Sequence, residues 1–155
     1  MRKSNREVTD FDKIVEFLDK SDTVRLALFD DEYPYIVPVS FGYEVLEGKI
    51  IIYFHGAKVG KKQQLIAKNN SVCVEADSMN GYVNLEHGGV TTDYQSIIGF
   101  GKVLPCDGDE RVKGLDLLMK HCGYSGFDEK DGCTIFEHTD VSKIVLDSVT
   151  CKKRF

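Results

Sequence analysis

The stretch "YFHGAKVGKK", residues 53–62, holds residue types at spacings that could do chemistry. An apolar run ends in an aromatic pair and His55. A short segment bounded by Gly56 and Gly60 follows, and then come Lys61 and Lys62. The triphosphate-binding P-loop is the first comparison, and it fails. Three residues separate the two glycines where that motif needs four, and Lys62 stands where it needs a magnesium-binding Ser or Thr. A looser anion site survives. A helix starting at the lysines would offer free N–H groups and a partial positive charge. Two cations are unfavourable at that end of a helix dipole, and an anion reverses the sign of the effect. An isolated Lys-Lys pair also suits an ordinary solvated surface, and these residues alone leave both readings open.

The other chemistry-bearing side chains are scattered. His55 has the pKa range of a proton donor or polar contact, yet a lone histidine beside apolar residues is more often structural. His87 lies in a glycine loop, and His121 and His138 are isolated. No histidine sits at metal-ligand spacing, so no metal site is expected. His121 and Cys122 are helix neighbours that point in different directions, which argues against a dyad. Arg25, inside an apolar strand, is expected to pair with a carboxylate, and Arg6 reads as a surface charge.

Helices and strands must position these groups. "TDFDKIVEFLDK" reads as a helix with a capping-box-like start at Thr9 and Asp12. Strand signals follow at 23–29, at 35–45 and at 49–55. In the second, Tyr35, Val37, Val39, Phe41 and Tyr43 share one face, and Pro38 marks an edge or bulge. Residues 59–70 read as a short helix and 71–78 as a strand. The 79–93 region is expected to extend that strand and break at a Gly88–Gly89 loop. Residues 94–106 form a glycine-containing strand, a helix starts near Asp109 and stops at Gly123, and 133–149 holds the last strand or strand pair. This pattern lacks a βαβ rhythm. It predicts a mainly β chain, a closed or nearly closed antiparallel barrel with a few helices.

The totals bound the rest. A chain of 155 residues fits one domain, 1–155, able to bury a core without staples. With 20 Lys and Arg against 25 Asp and Glu, the net charge of −5 argues against wholesale nucleic-acid binding. The five cysteines, Cys73, Cys106, Cys122, Cys133 and Cys151, include no CxxC pair and read as reduced thiols in a cytoplasmic protein. The charged start carries no signal-peptide pattern, and the longest apolar run, "IIIYF", is far too short to span a bilayer.

Four stretches together resemble a known family. "NREVTDFDKIVEFLD", "VRLALFDDEYPYIVPVSFGYE", "IIIYFHGAKVGKKQQLIAKNNSVCVEAD" and "YQSIIGFGKV" are similar, in order and spacing, to the pyridoxamine 5'-phosphate oxidase-like flavoproteins, and specifically to the nitroimidazole-reductase branch linked to nitroimidazole resistance. The resemblance covers about Arg6 to Asp147. It implies a six-stranded FMN-binding split barrel, a homodimer with flavin in the cleft between subunits. By the same resemblance, Val37, Pro38, Val39 and Ser40 lie beside the isoalloxazine ring, and Tyr53, Phe54 and His55 flank the cofactor. Lys61 and Lys62 hold its phosphate, and Gln95 or Ser96 contributes from the partner. His55 is the candidate catalytic group, and the implied activity is reduction of small acceptors such as nitroaromatics with electrons from NAD(P)H. A non-catalytic flavin- or haem-binding module and a deazaflavin-dependent reductase are the alternatives on the same fold. The chain ends in "VTCKKRF" and lacks the substrate-binding ending of true pyridoxamine phosphate oxidases, so pyridoxal phosphate synthesis is not implied.

Overall fold

The first helix begins just after the expected Thr9 cap. In the computed structural model, which describes residues 3–124 and 138–155, Asp10 is the N-cap and its carboxylate accepts the Asp12 N–H at 3.1 Å. Helix α1 then runs Phe11–Asp19 and buries Ile14, Phe17 and Leu18. Among the described residues two further helices are α2 (Lys61–Lys68) and α3 (Gly108–His121). Cys133, and the opening of the 133–149 stretch, lie outside the described residues. No helix among the described residues is long and apolar enough to cross a membrane.

Among the described residues eight strands form where six were expected: β1 (Glu7–Val8), β2 (Val24–Leu28), β3 (Tyr35–Val39), β4 (Phe41–Leu46), β5 (Lys49–Ala57), β6 (Ser71–Asn84), β7 (Val90–Pro105) and β8 (Thr139–Arg154). Both additions have a physical reason. β1 is two residues long, too short to show a period, and it forms by pairing with β8. The alternating run 35–45 breaks into β3 and β4 at Ser40 without losing its phase. Phe41 is in the barrel core, and Tyr35, Val37, Val39 and Tyr43 pack against it.

The sheet is antiparallel throughout, in the order β3-β2-β6-β7-β8-β5-β4, with β1 beside β8. Its two edge strands, β3 and β4, are consecutive in the chain and joined by Ser40 alone. Val39 and Phe41 therefore lie within about 7 Å of each other. A sheet can meet that condition only by curling until its edges touch at one corner, which gives a barrel with an open seam. Pro38 sits on edge strand β3 opposite Arg25, where its missing N–H is tolerated. The β6–β7 hairpin extends as expected and turns through Gly88 and Gly89, at φ 86° and 92°.

Two cores result. The barrel interior packs Leu26, Phe41, Ile52, Phe54, Val74 and Ile144 under the buried face of α1. The second core, Ile51, Tyr53, Cys106, Leu115 and Val141, lies on the outside of the barrel against α3. β5 is thus buried on both faces, which explains its unbroken apolar run "IIIYF". Helix α3 comes in flush because two glycines leave room. A Cβ on Gly42 would lie 2.3 Å from the Leu118 nitrogen, and one on Gly114 would lie 2.7 Å from Cδ1 of Tyr53.

Candidate functional site: the uncapped start of α2

β5 leaves the barrel at His55–Ala57, and Gly60, at φ 138°, turns the chain into α2. Glycine is the residue for that backbone, and it brings no side chain to cap the helix. The first helical bond runs from the Gln64 N–H to the Gly60 carbonyl. The N–H groups before it have no side-chain cap, which is the donor set an anion needs.

The two lysines at this helix start have different fates. Lys61 Nζ lies 2.7 Å from Asp30 Oδ2, and Lys68, two turns on, lies 3.3 Å from Asp31. These ion pairs tie α2 to the loop after β2. Lys62 turns the other way. Its Nζ sits 4.9 Å from the Phe54 ring centroid and donates to the His55 carbonyl at 3.3 Å. No ion pair among the described residues includes Lys62. Burial holds its ammonium below the usual lysine range. The side chain reaches this position across Gly56, where a Cβ would lie 2.6 Å from Nζ. The pairing role of Asp30 and the notch at Gly56 are not visible in the sequence pattern itself. What the sequence does show is the "DD" turn at 30–31 and the glycine one residue after His55.

His55 is exposed at the strand end, and partial desolvation together with the Lys62 charge holds its pKa below the ordinary histidine range. Its imidazole is therefore neutral at neutral pH. Its neighbours on β5 are placed differently. Phe54 faces the barrel interior and carries the Lys62 ammonium over its ring. Tyr53 is fully buried under α3, its hydroxyl donating to Glu44 at 2.7 Å, and burial pushes its pKa up. Lys113 on α3 donates to the same carboxylate, also at 2.7 Å. The Tyr53 side chain thus packs against α3, and only the backbone of this residue is left to flank a ligand at the strand end.

The remaining expected residues divide by strand phase. On β3, Val37 and Val39 turn into the barrel, so they have only backbone to offer a ligand, while Pro38 and Ser40 are exposed. On β7, Gln95 and Ser96 face opposite sides of the sheet, and Gln95 Nε2 lies 3.6 Å from Cys151 Sγ. Within one protomer, both pair with the opposite end of β8 from His55. Val141 is opposite His55 and Lys153 is opposite Gln95, twelve residues apart on β8.

The outer face of β2, β6 and β7 carries the Arg25–Glu75 and Arg25–Asp77 ion pairs and, beside them, an open apolar patch. Phe29, Tyr33, Ile36, Ile98 and Phe100 are exposed there. Phe29, Tyr33, Cys73 and Phe100 line a cleft of about 470 Å³ whose rim includes Asp30.

The model of the family described as pyridoxamine 5'-phosphate oxidase matches residues 10–153, nearly the whole chain. The chain belongs to this family. Among solved structures, it is similar to a candidate 5-nitroimidazole antibiotic resistance protein of Bacteroides thetaiotaomicron, at 26% identity and a TM-score of 0.79. That match covers 94% of this chain and 85% of the other. The flavocytochrome Anf3 of Azotobacter vinelandii shares the fold at 16% identity and a TM-score of 0.76, over all of this chain and 72% of the other. An FAD- and haem-binding protein of Mycobacterium smegmatis does so at 18% identity and a TM-score of 0.71, over 96% and 73%. No curated protein sequence matches significantly. The family and these neighbours establish the split-barrel fold.

Proposed function

We propose that the protein is an FMN-dependent oxidoreductase of the nitroimidazole-reductase branch. The observation that carries the reading is Lys62, a half-buried ammonium without a carboxylate partner, held over Phe54 beside the uncapped start of α2. A dianionic phosphate fits that donor set, since among the described residues no carboxylate pairs with the ammonium and the helix start has no side-chain cap. Gly56 keeps the lysine in place, because any side chain there would occupy its path. The branch assignment rests on the 26% identical Bacteroides neighbour and its described link to nitroimidazole resistance. The flavin-binding neighbours at 16% and 18% identity extend the fold and not the ligand.

Flavin, when bound, supplies hydride and electron transfer between a reduced nicotinamide and a small acceptor. The protein's part is to bind and orient. Lys62 and the α2 amides would hold the phosphate, with Lys61 in reserve behind its Asp30 pair. The exposed Pro38 and Ser40 on edge strand β3 would lie along the ring. Neutral His55, exposed at the strand end, would hold or move a proton at an imidazole nitrogen. A homodimer would cover the apolar patch of the outer face, a surface of the kind monomers seldom leave open. It would also bring Gln95 or Ser96 of a second subunit to the ring.

The absorption spectrum of purified protein tests the cofactor directly, followed by NAD(P)H-driven reduction of a nitroimidazole. Flavin absorbance and turnover are expected. Protein that binds no flavin rejects the site, and flavin-loaded protein inert toward both NAD(P)H and nitro compounds rejects the activity. Sedimentation of a flavin-saturated monomer rejects the dimer.

A further inference from the structure

The β6–β7 hairpin outruns the strands that flank it. Among the described residues, β2 pairs with β6 only over Val72–Glu75, and β8 pairs with β7 only from Tyr94 onward. Between Met79 and Asp93 the two strands therefore pair with each other alone. A two-stranded ribbon is marginally stable in water unless something packs on it. A bulge re-aims this one. Asn80 has no opposite residue, Gly81 takes φ 143°, and the Asn80 amide donates to the Asp93 carboxylate at 3.2 Å. Alternation along β7 keeps Val90 and Thr92 in phase with Ser96, Ile98 and Phe100, and Tyr82 is directly opposite Thr92. The arm thus continues the outer face of the sheet, with Tyr82 75% and Val90 63% exposed.

The arm also carries one sign of charge. Residues 69–101 hold four carboxylates and no lysine or arginine. Arg25 holds Glu75 and Asp77, which leaves Asp93 and Glu86, the latter exposed at the turn. A complementary surface lies just after His55. Val59 is 83% exposed, and Lys58 beside it is exposed and enters no ion pair among the described residues. The homodimer proposed above would bring Gln95 or Ser96 to the ring beside the partner's His55. Gln95 and His55 are at opposite ends of β8, so the two-fold axis of that dimer runs across the strands, and the arm of each copy reaches the α2 end of the other. We propose that the β6–β7 arm docks on residues 57–60 of a second copy of this chain, with Tyr82 beside the partner's His55, Val90 on the partner's Val59 and Glu86 at the partner's Lys58. The order follows the strand. Moving away from Ser96, the outer face presents Tyr82, then Val90, then the turn with Glu86. The contact rests on the homodimer reading and adds to it the element that covers His55, which one protomer leaves exposed. The charge pair at the rim fixes register and choice of partner more than raw affinity.

Sedimentation equilibrium of the full chain tests the contact. Glu86→Lys and Lys58→Glu each weaken the dimer by about 5- to 30-fold, because the pair occurs twice and each reversal turns attraction into repulsion. Both reversals in one chain restore it to within about twofold. Mixing Val59→Cys chains with Val90→Cys chains gives, on mild oxidation, a disulfide-linked dimer that neither variant forms alone. Tyr82→Leu moves the ring-proton resonances of His55, because the partner's aromatic ring is withdrawn, and Tyr82→Phe leaves them in place. A dimer indifferent to both reversals, a combined variant that does not recover, a missing mixed disulfide or unmoved His55 resonances overturns the arm contact and leaves the homodimer standing. A chain that sediments as a monomer throughout overturns both. Flavin enters none of these readouts, so the cofactor reading stands or falls separately.

Discussion

Replacing Lys62 by methionine separates the two lysines at the start of α2. Methionine keeps the unbranched stem across Gly56 and over Phe54, and it removes only the charge. The ammonium is half-buried and has no carboxylate partner, so its hydrogen bond to a phosphate would be charge-assisted and weakly screened. Loss of such a bond costs about 1.5–3 kcal/mol, or about 10- to 150-fold in the Kd for FMN. Lys61→Met removes an exposed cation already paired with Asp30 and is expected to change the Kd by no more than about threefold. Titration of flavin-free protein with FMN, followed by quenching of flavin fluorescence at fixed ionic strength, reads both. An unchanged Kd in Lys62→Met, or an equal loss in Lys61→Met, refutes the assignment of the phosphate to Lys62.

Gly56→Ala places a methyl 2.6 Å from Lys62 Nζ. The flexible lysine end moves aside, so FMN affinity falls as in Lys62→Met while the melting temperature barely changes. Gly42→Ala forces a methyl to within 2.3 Å of the Leu118 backbone nitrogen, which cannot yield. Overpacking of about 3 kcal/mol lowers the melting temperature by roughly 6–12 °C, measurable by calorimetry. The His55 midpoint, followed by NMR, lies below the ordinary histidine value and rises in Lys62→Met, because one of its two depressing causes is gone. For Glu44, burial acts to raise the carboxyl pKa, but hydrogen bonds from Lys113 and Tyr53 outweigh it and leave it lowered. The resulting stability is present above the unfolded-state value of about 4.5 and lost as pH falls through the folded one. Glu44→Gln therefore flattens the acid limb of the melting-temperature profile.

The strand pattern was readable because alternation is local. Tyr35 to Tyr43 kept one phase through Ser40, and only the break into two edge strands was hidden, since both halves face the same interior. The helix start at the lysines was readable from Gly60 onward. What separates Lys61 from Lys62 was not, because the partner that occupies Lys61 is Asp30, in another loop. Tyr53 and Phe54 show the same limit. Alternation puts them on opposite faces, but nothing local says that α3 covers the outer one. The fit of that helix depends on Gly42 and Gly114, which are complementary only in three dimensions.

β8 is the strand on which closure of the barrel depends. Among the described residues it alone pairs β3-β2-β6-β7 with β5-β4, and it also receives β1. Until residues 139–154 leave the ribosome, the nascent chain holds two ribbons joined at Ser40, whose flanks at β5 and β7 have no mate. Those flanks are apolar and pairing-competent, the kind of surface that chaperones shield and that aggregates when left alone. A ribosome stalled before codon 139 would display a half-built wall, and synthesis of the last sixteen-residue strand would convert it in one long-range step.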